Sequence, residues 1–177
     1  LGAAEAMLPR LQALTQADPA AQRQTLWLGA ELALAASQPQ LALQRLDQLP
    51  PAPGAAHNPE AERATLLLRA QALSALHRSA EVAGPLQTWV SAHAHDASAW
   101  QALARASRES GQPLRALRAE AEAFVAQYDY AAAVDRFKAG QQLAQRSGAS
   151  ADHFEASIID TRLRAVQSLL REQAAER

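Results

Sequence analysis

A chain that cleaves peptide bonds with zinc needs two histidines one helical turn apart with a glutamate beside the first, His-Glu-x-x-His. The five histidines here are His57, His77, His93, His95 and His153, and no two of them have that spacing. His93-Ala94-His95-Asp96 is the one cluster. On a helix, residues two apart point to nearly opposite sides, so this pair makes a poor metal site and reads better as a polar helix end. Glu120 and Glu122 are also two apart and are expected in solvent. No Gly-rich phosphate loop and no Gly-x-Ser-x-Gly elbow occurs. Without Cys there is neither a thiolate nucleophile nor a disulfide framework. The residues of this stretch therefore predict no catalytic site, no metal site and no cofactor.

The composition turns the search from chemistry to binding. Apolar residues make up 49% of the 177 residues but aromatic ones only 5%, so Ala and Leu dominate. Both are strong helix formers, and β-branched residues are few. Pro and Gly fall in clusters, as they do where helices are joined by short turns. An all-α fold follows. The net charge is −1, which provides no field to draw nucleic acid or an anionic membrane surface. No run is long and apolar enough to span a membrane. The chain opens on Leu1 rather than Met, which leads us to expect a piece of a longer protein.

Apolar spacing predicts nine helices, at about 3–16, 20–36, 39–49, 59–77, 79–94, 97–110, 113–127, 130–147 and 150–175. The expected inward residues include Met7, Leu11 and Leu14 in the first helix, Leu26, Ala30 and Ala33 in the second, and Ala42, Leu46 and Leu49 in the third. A Pro-rich stretch, 50–59, reads as an exposed loop, with Asn58 as cap of the helix after it. Pro85 should kink or restart the fifth helix near Gly84. Asp96 and Gly111 are the expected cap and terminator of the sixth. Ser150-Ala-Asp-His-Phe-Glu155 is a capping start for the last helix, whose apolar face should bury the end of the array.

The clearest repeat signature is Asp129-Tyr-Ala-Ala-Ala-Val-Asp-Arg-Phe-Lys-Ala-Gly140. Small residues at Ala133 and Gly140 lie seven apart with Phe137 between them and Val134 alongside. The pattern resembles the back half of a tetratricopeptide (TPR) repeat, and Trp100-x-x-Leu103-Ala104 resembles a front half. We therefore expect a TPR-like superhelix of antiparallel helices. Repeat frames fit at 23–56, 63–96 and 97–130, whereas the 129–140 signature demands one at 114–147, half a repeat out of step. Helix 113–127 fits both roles.

The TPR resemblance implies a concave groove lined by front helices, at the second, fifth, ninth and twelfth repeat positions. These are Gln24, Trp27 and Glu31; Leu67 and Gln71; and Ser98, Gln101, Arg105 and Arg108. Arg105 and Arg108 share a face and suit the carboxylates or carbonyls of a bound peptide, or are ordinary solvated charges. Trp27 is a groove residue or packed core. The implied partner is a protein or peptide.

A narrower resemblance covers the C-terminal half. Its segments are Ala-Trp-x-x-Leu-Ala (99–104), Gly-Gln-Pro-Leu-Arg-Ala-Leu-Arg-Ala-Glu-Ala-Glu (111–122), Asp-Tyr-Ala-Ala-Ala-Val-Asp-Arg (129–136) and Ser-Ile-Ile-Asp-Thr-Arg-Leu-Arg (157–164). In this order they resemble the TPR region of bacterial periplasmic zinc metallopeptidases of the β-barrel assembly-enhancing (BepA-like) type. The resemblance implies a parent with a zinc-bearing peptidase domain, a periplasmic location and a role in outer-membrane protein assembly or quality control. None of that family's catalytic residues lies in these 177 residues. The alternative is a cytoplasmic TPR adaptor with no peptidase.

Overall fold

The structure, a computed structural model, describes residues 2–50, 59–147 and 152–176. Among the described residues it is all-α: α1 (Gly2–Thr15), α2 (Pro19–Ala35), α3 (Pro39–Asp47), α4 (Pro59–Ala75), α5 (Ala80–Ala92), α6 (Ala97–Glu109), α7 (Pro113–Ala126), α8 (Tyr130–Ser147) and α9 (His153–Ala175). Each predicted helix is present, and most end a residue or two sooner than the apolar spacing suggested. Asn58, Ser150 and all of the 50–59 loop except its end residues lie outside the described residues. No helix among the described residues is long and apolar enough to cross a membrane.

Four of the early endings share one cause, the same turn. Helices α2, α4, α6 and α7 stop at a residue in the left-handed region: Ser37, His77, Gly111 and Tyr128, with φ of 57°, 57°, 71° and 61°. After each, the next N–H bonds back to a carbonyl five residues earlier: Gln38 to Ala33, Arg78 to Leu73, Gln112 to Ser107 and Asp129 to Phe124, at 2.8–3.0 Å. This is the Schellman arrangement, which satisfies carbonyls that the helix end would otherwise orphan. Only one of the four uses Gly, so the other three hold a side chain in a conformation L-residues seldom take. A second kind of turn precedes α2, α6 and α9. There Asp18, Asp96 and Asp152 accept hydrogen bonds from first-turn N–H groups.

The chain divides into two compact units, residues 1–82 and 83–177, with the boundary inside the first turn of α5. In the first unit α2 packs on α1 and α3, and also on its second neighbour α4. Ala30, Ala33 and Ala42 are fully buried at this contact. Gly29 is where α1 comes close. A Cβ there would meet Leu8 at 3.1 Å and Arg45 at 3.0 Å. Leu8 therefore enters the core, and the predicted stripe is corrected: Met7 and Leu14 are 60% and 73% exposed. α1 has α2 as its packing neighbour and is wet on the side that Met7 and Leu14 share.

In the second unit α6, α7, α8 and α9 pack in succession, and α7 also reaches α9. Ala133, Val134 and Phe137 are buried together with Ile159, Leu163 and Val166 of α9. A Cβ on Gly140 would lie 3.0 Å from Ile159 Cδ1, which is why a small residue is needed there. The last helix thus covers the repeat signature as expected. Helix α5 runs unbroken through Pro85 and does not restart at Gly84. Pro85 lies in the second turn of α5, so its missing N–H removes a single bond near the helix start.

Candidate functional site

Repeat phase decides which side chains a front helix presents, and α7 is the ambiguous case. Its flanking turns resolve it. The left-handed residues at 77 and 111 are 34 apart, one TPR repeat, whereas 111 and 128 are 17 apart, half of one. Helix α7 is therefore entered through the turn that leads into a back helix and left through the turn that closes a front helix. Asp129 shows the same overlap, because its backbone completes the Schellman turn while its carboxylate accepts from Ala132 N. The packing agrees. α7 contacts α9 as α2 contacts α4, each front helix on the next.

Taken as a front helix in the frame at 114, α7 carries Arg115, Arg118, Glu122 and Val125 at the four groove positions. All are used inside the unit. Glu155 of α9 is 3% exposed and receives Arg118 Nε at 2.7 Å and Arg115 Nε at 3.1 Å. Arg118 also donates to Gln87 of α5 at 3.2 Å and lies 5.9 Å from the centroid of Trp100. In the opposite direction Arg162 of α9 clasps Glu122 through Nε at 2.6 Å and Nη2 at 2.7 Å. Donating to Glu122 pushes the Arg162 pKa further up from its ordinary value, against the effect of partial burial. Val125 packs against the apolar core.

These pairs correct the expectation that the acids of α7 are solvated. Glu122 is 7% exposed and bonded, and Glu120 bridges Arg108 of α6 and Arg136 of α8. The reason is that Arg115, Arg118 and Glu122 find partners of opposite sign on α9, some 40 residues away in sequence. Periodicity within α7 carried no signal for that. The only hint was the shifted frame, which moves these three to groove positions.

The groove residues predicted from the other frames lie elsewhere and are more open. On α2, Gln24 and Glu31 are exposed. Trp27 is half-buried, donates from Nε1 to Thr65 of α4 at 3.0 Å, and has the Arg23 guanidinium 6.0 Å from its ring. It therefore ties one front helix to the next. On α4, Gln71 is exposed and Leu67 half-buried. On α6, Ser98, Gln101, Arg105 and Arg108 are all exposed, and Arg108 is paired with Glu120. The α2 and α4 groups belong to the first unit and the α6 group to the second.

The histidine cluster behaves as a helix end. His93 stacks on Trp89 with centroids 3.8 Å apart, and its Nδ1 lies 3.1 Å from the Trp89 carbonyl oxygen. Trp89 Nε1 donates to Asp96, and Trp100 Nε1 to the Ala94 carbonyl, each at 2.9 Å. Two indoles thus fasten the turn between α5 and α6. No group of three or more potential metal ligands occurs among the described residues. Compared with known proteins, the sequence matches no family model and no curated protein.

Proposed function

We propose that this chain is a protein-interaction scaffold in which each of the two units holds a peptide segment against its own front helices. The observation that carries the reading is the set of exposed polar side chains at front-helix positions: Gln24 and Glu31 on α2, Gln71 on α4, Gln101 and Arg105 on α6. An amide side chain both donates and accepts, as a peptide bond does, so Gln24 and Gln71 in the first unit, and Gln101 in the second, suit a backbone. Arg105 adds donors for carbonyls or a carboxylate, and Arg108 beside it is already paired with Glu120. The test is retention of the purified full chain on an array of random synthetic peptides. Discrete peptides should be retained, and reversing Arg105 and Arg108 to Glu should change which ones while helicity stays the same. An array that retains nothing above background overturns the reading.

We propose further that the scaffold serves a periplasmic zinc metallopeptidase engaged in outer-membrane protein assembly or quality control. What supports this is the C-terminal resemblance, from Trp100 to Arg164. Zinc and catalysis would belong to the parent's peptidase domain. Reading the gene upstream of Leu1 tests it: a signal peptide and a His-Glu-x-x-His motif are expected, and their absence turns the reading to a cytoplasmic adaptor.

A further inference from the structure

Front helices α2 and α7 have the same residue type at the ninth repeat position, Glu31 and Glu122. Their surroundings differ. Glu122 is buried beneath a bidentate guanidinium from Arg162 on the next front helix. Glu31 is exposed, and no hydrogen bond or ion pair engages it among the described residues. The fifth positions, in contrast, behave alike. Trp27 reaches Thr65 on α4, 38 residues on, and Arg118 reaches Glu155 on α9, 37 residues on. The two helices thus bridge to their next front helix at the fifth position, but only α7 has its ninth-position carboxylate neutralised.

Resting on the scaffold reading above, we propose that Glu31 is the anchor of a docking face on α2 whose occupant is a partner segment carrying Arg or Lys beside an apolar residue. The second unit shows what this position takes when it is filled, a guanidinium held by two hydrogen bonds. Charge complementarity is one argument and the stripe around Glu31 is another. Gln24, Leu28 and Glu31 fall at i, i+4 and i+7, one face of the helix. Leu28 is 42% exposed there, an apolar contact between an amide and a carboxylate. The nearest cation on α2, Arg23, is turned to other work. Its Nη2 donates to the Pro50 carbonyl at 2.7 Å, and its head lies by Trp27. Cation, apolar residue and backbone of the partner would meet Glu31, Leu28 and Gln24 in turn.

The peptide array supplies the test, with the full chain as bait. Retained sequences should be enriched in Arg and Lys over the input. Glu31→Gln should remove the enrichment and weaken a retained basic peptide about fivefold, and Glu31→Arg should shift it toward Asp and Glu. Leu28→Ala should weaken the same peptides without altering their charge bias, and circular dichroism should show unchanged helicity in all variants. Basic enrichment that survives Glu31→Gln overturns the proposal, as does a retained set with no charge bias. If the selection follows Arg105 and Arg108 alone, this docking face is wrong while the scaffold reading stands. If nothing is retained, both fall.

Discussion

Helices α2 and α7 occupy the same place in their respective units, each packed on the front helix that follows it. One uses its polar groove positions internally and the other leaves them open. On α7, Arg115, Arg118 and Glu122 all bond within the second unit, to Glu155, Gln87 and Arg162. On α2, Gln24 and Glu31 are exposed, and Trp27 reaches across to Thr65 of α4. Position in a repeat therefore does not by itself make a binding residue. A charge at a front position binds a partner only if the next helix does not bring its counter-ion first.

The largest expected effect comes from breaking the closed face. Glu155→Leu strands Arg118, 8% exposed, without its carboxylate, and should destabilise the second unit by about 3–5 kcal/mol in urea unfolding. Adding Arg118→Met should recover most of that loss, because two apolar groups desolvate at less cost than one unpaired charge. A single variant as stable as the double would show the pair to be hydrated.

The two equivalent glutamates sharpen the contrast. Glu122→Gln should cost about 2 kcal/mol, the value of hydrogen bonds to a charged group, whereas Glu31→Gln should stay within about 0.5 kcal/mol. Equal costs in the same unfolding assay would erase the distinction drawn between α7 and α2.

Gly140→Leu should cost about 1–3 kcal/mol by overpacking against Ile159. Shortening Ile159 to Val in the same chain should return part of it, and an unchanged midpoint for Gly140→Leu would mean that α8 and α9 separate more easily than their contact implies. A smaller effect than this is expected at the Trp27–Thr65 bond. Trp27→Phe keeps most of the ring but loses the bond to Thr65, for about 1 kcal/mol. Thr65→Val should match it, and the two together should cost less than their sum if the bond is what matters.

Much of the fold was legible because helices advertise themselves locally. Leu26, Ala30, Ala33, Ala42 and Leu46 were assigned inward from spacing alone and are buried. Asp96 and Gly111 were assigned to a helix start and a helix end and sit there. The failures cluster where a neighbour decides. Met7 and Leu14 lie on an apolar stripe, but Gly29 draws Leu8 inward, so the helix is turned. Pro85 was expected to kink or restart α5, and the restart does not occur: the helix continues through it. Glu122 looked solvated because its partner, Arg162, is 40 residues away.

The groove residues were legible only as positions. Gln24, Glu31, Gln71, Gln101 and Arg105 are exposed on front helices, which the repeat frames anticipated. The frames could not separate them from Arg115, Arg118 and Glu122, which are polar residues at the same set of repeat positions, Glu122 matching Glu31 in both type and position. Nor could they choose a role for α7, since helix 113–127 satisfies both frames equally well.

By itself the sequence determined the all-α class, the order of the helices among the described residues, most of their buried faces and the half-repeat slip between the 97–130 and 114–147 frames. Each follows from interactions within a few residues along the chain, namely helical periodicity, aspartate caps and the turns that close a helix. Only the tertiary structure decided that α7 has a double role, that its charges are closed by α9 and that those of α2 remain open. A carboxylate's fate depends on whether a guanidinium stands within about 3 Å, and that distance is set by helices distant in sequence, which no local pattern encodes.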